Sequence, residues 1–171
     1  SVRPSVRLSV RSSARPSVRP SVRPSVCACA PARTHTKRCD EKLKLIDDLY
    51  AATGAGDWER AESMLTEDFF ASEADHLPMK GRFTGRGGLK ELYTLVFTMV
   101  DASGIKRIET TTGGDYAVVI LEIQFAQEGL APAETCEMFR FRDGKVCEIK
   151  PYYYNPAAFD AAVAAKKAGN A

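Results

Sequence analysis

The dipeptide Asp143-Gly144 constrains this chain more than any other feature. It joins two runs, Ala133–Arg142 and residues 146–154, both rich in β-formers. A two-residue Asp-Gly loop between such runs signals a hairpin, because both loop positions take positive φ. So short a turn also sets the pairing register. With Asp143-Gly144 as the loop, Phe141 faces Val146, Phe139 faces Glu148, Glu137 faces Lys150 and Thr135 faces Tyr152. These side chains share one face of the sheet. The other face carries Cys136, Met138, Arg140, Arg142, Cys147, Ile149 and Tyr153, and its two arginines suggest solvent near the turn. Two readings stay open: Glu137, Glu148, Lys150 and Tyr152 lie on the concave face, with Glu122 of the neighbouring strand able to join them, or these cross-strand charges are solvated surface. A bulge before the hairpin would reverse that parity.

The remaining elements follow from periodicity. Asp40 suits a helix N-cap, and Leu43, Ile46, Leu49, Tyr50 and Thr53 recur at helical spacing up to a stop at Gly54 and Gly56. Asp57 caps a second short helix carrying Trp58, Ala61, Met64 and Leu65 on its inner side. Phe69, Phe70 and Ala71 begin a short strand, residues 75–88 read as loop, and Leu89, Leu92, Tyr93, Val96, Phe97 and Val100 form the stripe of a third helix. Strands are expected at 106–112, 116–127 and 133–142, and a last one at 146–154 that stops before Pro156. An Ala-rich remainder from 161 reads as a frayed helix. Three helices followed by an antiparallel meander make an α+β domain over about residues 40–160.

Charge divides the chain sharply. Residues 1–39 hold nine Lys and Arg and no acid, so the rest carries 24 − 9 = 15 bases against 22 acids, a net of −7. The acidic body argues against nucleic acid as its partner. The tail repeats Ser-Val-Arg-Pro, a composition that cannot build a core and reads as disordered. Three origins stay open for it: a translated simple repeat, an organelle transit peptide, or a basic arm for nucleic acid. No run of residues is long and apolar enough to span a bilayer, so the expected location is intracellular and cytoplasmic, or an organelle if the tail is a transit peptide. Of the five cysteines, Cys27 and Cys29 stand too close together for usual zinc spacing, and we expect reduced thiols and no metal.

The segment from Met138 to Asn155, with its Arg-Asp-Gly-Lys turn and terminal Tyr152-Tyr153-Tyr154-Asn155, closely resembles the end of SnoaL-like proteins of the nuclear transport factor 2-like superfamily. Leu49-Tyr50-Ala51-Ala52 with Gly56-Asp57-Trp58, then Leu65 to Phe69, resembles the family's start. The resemblance covers about residues 42–160. It implies a cone-shaped curved antiparallel sheet packed against three N-terminal helices, a cystatin-like roll with a pocket between the layers, and frequent homodimers. It implies no cofactor. It leaves open whether the chain is an enzyme, since the superfamily holds cyclases, isomerases and dehydratases beside modules that catalyse nothing.

His76, beside Asp75 near the expected mouth, could act as a base, although a loop histidine in solvent is the simpler reading. Glu137, Lys150 and Tyr152 are the other candidate catalytic groups, Tyr152 as oxyanion donor. Tyr50, Trp58, Phe70, Tyr93, Phe97, Glu122, Phe139 and Glu148 are candidate pocket residues, although plain core is the simpler reading of each aromatic. The expected ligand is a small hydrophobic carbonyl compound. The rival reading is a noncatalytic dimerising or binding module, suggested by a strand at 116–125 that is apolar on both faces.

Overall fold

A computed structural model describes residues 32–169. The Ser-Val-Arg-Pro repeat and the Cys27/Cys29 pair lie outside the described residues. Helix α1 runs Ala32–Ala55, α2 Trp58–Ser63 and α3 Gly88–Met99. The strands are β1 Leu65–Glu73, β2 Gly81–Thr84, β3 Ala102–Gly113, β4 Tyr116–Phe125, β5 Ala133–Arg142 and β6 Lys145–Tyr153, and α4 spans Pro156–Gly169. The strands form one curved six-stranded sheet in the order β2-β1-β6-β5-β4-β3.

Local chemistry accounts for most boundaries. Gly56 takes φ 71 and ends α1. The Asp57 side chain accepts a hydrogen bond from the Arg60 amide at 3.1 Å and starts α2. Asp40 is not an N-cap, because α1 already begins at Ala32 and Asp40 lies within it. Asp143 and Gly144 take φ 52 and 72, the pair of positive angles expected of the hairpin turn.

The sheet departs from the expected meander in three ways. First, β1 pairs parallel with β6, and the other neighbours are antiparallel. The last strand therefore returns to the middle of the sheet, between β1 and β5. Second, β1 is nine residues long and reaches Glu73. Residues 81–84 of the expected loop add β2 as an edge strand, with Phe83 buried. Third, a bulge at Cys147 separates the pairs Phe141↔Val146 and Arg140↔Glu148. Its thiol donates to the Arg140 carbonyl at 3.4 Å. One extra residue turns every later side chain of β6 to the opposite face relative to β5. Phe139 thus pairs with Ile149, Glu137 with Pro151 and Thr135 with Tyr153, while Arg140, Met138 and Cys136 pair with Glu148, Lys150 and Tyr152.

The core lies between the helices and the inward face: Ile46 and Leu49 of α1, Leu89 and Leu92 of α3, Phe69 and Ala71 of β1, Val119 and Leu121 of β4, and Phe139 of β5 are all buried. Helix α4 is packed rather than frayed. Phe159 and Ala162 are fully buried, and the Phe159 ring meets Phe125 and Tyr153 edge-on. Lys166 donates to the carbonyls of Phe97 at 2.7 Å and Val100 at 3.3 Å, at the C-terminal end of α3. A cation there satisfies acceptors that the helix leaves open and opposes its dipole. Packing therefore continues past residue 160. No helix among the described residues is long and apolar enough to cross a membrane.

Candidate active site: a carboxyl pair in an aromatic cavity

Alternation along the strands builds the site. On β1, Phe69, Ala71 and Glu73 point inward. On β5, Thr135, Glu137 and Phe139 do, and on β6 Ile149, Pro151 and Tyr153 are their partners. Glu73 stands two residues beyond the Ala71↔Ile149 pair, as Pro151 does on the neighbouring strand. The two carboxyl groups thus flank Pro151 on the same face. Above them lies a cavity of ≈ 1370 Å³ walled by Tyr50 and Thr53 of α1, Trp58 of α2, Tyr93 and Phe97 of α3, and Ile105 and Arg107 of β3, with Tyr153 of β6. Trp58 meets Tyr93 edge-on at 5.6 Å, and Tyr93 meets Phe97 at 6.1 Å.

The two carboxyls are treated differently. Glu137 accepts a short hydrogen bond from the Tyr50 hydroxyl. Part of its surface faces the cavity, so it is half-buried by area although protein surrounds it. Burial raises its pKa, and the Tyr50 hydrogen bond opposes that rise. Glu73 is only 8% exposed, and its Oε2 has no hydrogen-bond partner among the described residues. Burial, and then the charge of Glu137, push its carboxyl up to about 8. The contrast leaves Glu73 as the protonated acid near neutral pH and Glu137 as the group more easily ionised. The phenols follow the same physics. Burial first, and Glu137 second, raise Tyr50 and Tyr93. Burial, then Glu73, raise Tyr153. All three stay protonated donors.

The candidates named from sequence divide cleanly. Tyr50, Trp58, Tyr93, Phe97 and Glu137 meet at the cavity. Phe139 lies behind it, edge-on to Tyr50 at 6.0 Å. The bulge at Cys147 corrects the expected face of three others: Glu148, Lys150 and Tyr152 lie on the sheet face away from the cavity. Glu148 is ion-paired there to Arg140 at 3.2 Å and Lys150 at 3.5 Å, and Tyr152 is exposed. Phe70 pairs with Glu148 on that same outer face, under the Arg82 guanidinium, 3.6 Å from the ring centroid. Glu122 is there too, bound to Lys106 at 3.1 Å. His76 is exposed in the turn between β1 and β2, away from the cavity wall.

Sequence reasoning missed Glu73, Tyr153, Arg107 and Asp47. Extending the alternation of Phe69 and Ala71 by one more step would have found Glu73. Tyr153 and Arg107 had no such signal, because their facing depends on bulges. One follows Cys147, and another lies between the pairs Arg107↔Leu121 and Glu109↔Ile120.

The SnoaL-like domain family is matched over residues 46–149, more than half of the chain. No curated protein matches. Among solved structures, a nuclear transport factor 2-like protein from Burkholderia xenovorans LB400 superposes with a TM-score of 0.61 at 21% identity, covering 73% of this chain and 97% of that one. TerC, co-crystallised with polyporic acid, gives 0.60 at 21% identity, covering 72% and 98%. Bal32a, from a soil-derived mobile gene cassette, gives 0.61 at 14% identity, covering 72% and 97%. At these identities the likeness is one of fold.

Proposed function

Since the chain belongs to the SnoaL-like domain family, whose fold leaves the chemistry open, we propose that its cavity binds a hydrophobic carbonyl compound and moves a proton on it, as an isomerase or cyclase does. The observation that carries this reading is the pair Glu73 and Glu137, set in one aromatic-walled cavity with no ion pair to either carboxyl among the described residues. Desolvated carboxyls with separated proton affinities are the ordinary means of running acid and base chemistry at one pH. Glu137, as carboxylate, takes a proton from the carbon next to the carbonyl. Glu73, as neutral acid, donates a hydrogen bond to the carbonyl oxygen, where negative charge grows. The Tyr50 hydrogen bond favours the ionised form of Glu137 against the effect of burial and orients it. The enolate then recovers the proton at a second carbon, or attacks a second carbonyl in the same molecule, whose oxygen takes up the proton held by Glu137. The volume of the cavity suits a ligand of several rings. TerC, of the same fold, was co-crystallised with polyporic acid.

Exchange of the α-protons of 2-tetralone in D₂O, followed by proton NMR, tests the assignment. Wild-type protein should accelerate exchange over buffer, and Glu137→Gln should lose about a hundredfold or more of that acceleration. Glu73→Gln should lose less, because the amide still donates a hydrogen bond. Exchange no faster than in buffer, or untouched by either change, would remove the reading.

A second reading concerns the opposite face and is compatible with the first. The outer surface of the sheet leaves Ile120, Tyr116 and Tyr152 exposed, and we propose that a second copy of this chain covers it.

A further inference from the structure

Arg107 has no part in the proton transfer, yet it is the single Lys or Arg on the cavity wall among the described residues. It points inward from edge strand β3, beside Leu121. Its Nη2 lies 2.5 Å from Asp47 Oδ1, and its guanidinium stands 5.3 Å from the centroid of the Tyr50 ring. The Asp47 side chain is 58% exposed and that of Arg107 36%. An ion pair so open to water adds little to stability. The guanidinium has five N–H donors in a planar fork, and the contact with Asp47 engages one nitrogen. The rest of the fork is left for a ligand. Phe97 and Ile105, both exposed, line the same cavity and supply apolar surface near it.

We propose that Arg107 is an anion-binding subsite at the cavity mouth, so that the substrate is a hydrophobic carbonyl compound with a carboxylate or comparable acidic group at the end away from Glu73 and Glu137. This inference rests on the acid–base reading above. The geometry sets the orientation. Arg107 covers the face of the ring whose hydroxyl reaches Glu137, so an anion held there lies about one aromatic ring's breadth from the proton-transfer groups. The Glu137 carboxylate repels an anion placed deep, and the guanidinium attracts it at the mouth. The carbonyl end therefore enters first. A guanidinium also recognises a carboxylate by two parallel hydrogen bonds, which a lysine cannot supply.

Three naphthalene probes test this by their own fluorescence on the full chain: 6-hydroxy-2-naphthoate, its methyl ester, and 2-naphthol. In each, the phenol stands for the enol of the substrate. Wild type should bind the carboxylate about tenfold more tightly than the ester. In Arg107→Gln that ratio should fall to near one with ester affinity unchanged, and Arg107→Lys should keep part of it. An equal ratio in wild type and Arg107→Gln overturns the subsite. So does an equal loss of ester and acid, which would mean that Arg107 only holds the wall. Failure of all three probes to bind wild type overturns it as well. If instead the acid-to-ester ratio behaves as expected while α-proton exchange stays at the buffer rate, the acid–base reading fails and the anion subsite stands.

Discussion

Glu73 illustrates what one buried carboxyl does to a whole chain. Its pKa is about 8 in the folded protein against an ordinary 4.5. Between those values the folded chain holds a proton that the unfolded chain has released. Stability therefore falls as pH rises from about 4.5 to about 8 and levels off above that range. Glu73→Gln replaces the acid by a neutral group of the same shape. It should change the melting temperature little at about pH 4 and raise stability at about pH 8 by on the order of a few kcal/mol. A remaining fall in stability with rising pH belongs to Glu137, whose pKa is also raised by burial, while Asp48 and Asp68, whose pKa is lowered, contribute the opposite slope at the acid end. Thermal melts from pH 4 to 8 on both proteins decide the matter, and parallel pH profiles would show that Glu73 titrates normally. A site that gives up stability at working pH for chemistry is the trade expected of a functional residue.

At the level of elements, the close approach of α3 to β2 depends on one missing side chain. A Cβ on Gly88 would meet the Phe83 carbonyl carbon at 2.7 Å and its oxygen at 2.9 Å. Both are backbone atoms and cannot swing aside. Gly88→Ala should cost about 1–3 kcal/mol in urea denaturation. Gly87→Ala has open space around its Cβ and an ordinary φ of −72, so it should stay within about 0.5 kcal/mol of wild type. Equal effects at the two positions would refute the contact. Elements of this kind were only partly legible. The helices, the Asp143-Gly144 turn and the long strand β4 follow from periodicity and turn chemistry, which are local. The parallel β1–β6 pairing and the edge strand β2 are not local properties: nothing in Gly81–Thr84 announces a strand beyond one buried Phe83. The bulge at Cys147 had the largest effect. It left Glu137 under the helices as expected, and it moved Glu148, Lys150 and Tyr152 away from it. A single unpaired residue thus decided which charged groups could share a site, and no pattern of hydrophobicity marks it.

For the whole molecule, the two faces of the sheet divide the work. The inner face holds the cavity. On the outer face, registers place Ile120 between Glu109 and Cys136, and Val118 between Thr111 and Met138, with Tyr152 beside Cys136 and Lys150 beside Met138. Charged rows bound this middle. Arg140 and Glu148 lie at one end, and Lys106, Glu122 and Glu134 at the other. A two-fold axis through the middle would bring Arg140 of one copy towards the acidic end of the other and bury Ile120 against its counterpart. A self-complementary patch of this kind is what an isologous dimer requires. The full chain of 18.7 kDa should therefore run at twice its mass in light scattering. Ile120→Arg should give monomers by placing two cations at the centre of the contact, and its circular dichroism should stay that of wild type. Because the cavity opens on the other side of the sheet, the variant should also keep wild-type affinity for 2-naphthol. A wild type that is monomeric across the concentration range would sink the dimer. A monomeric Ile120→Arg that no longer binds the probe would show instead that the two faces are coupled through the sheet.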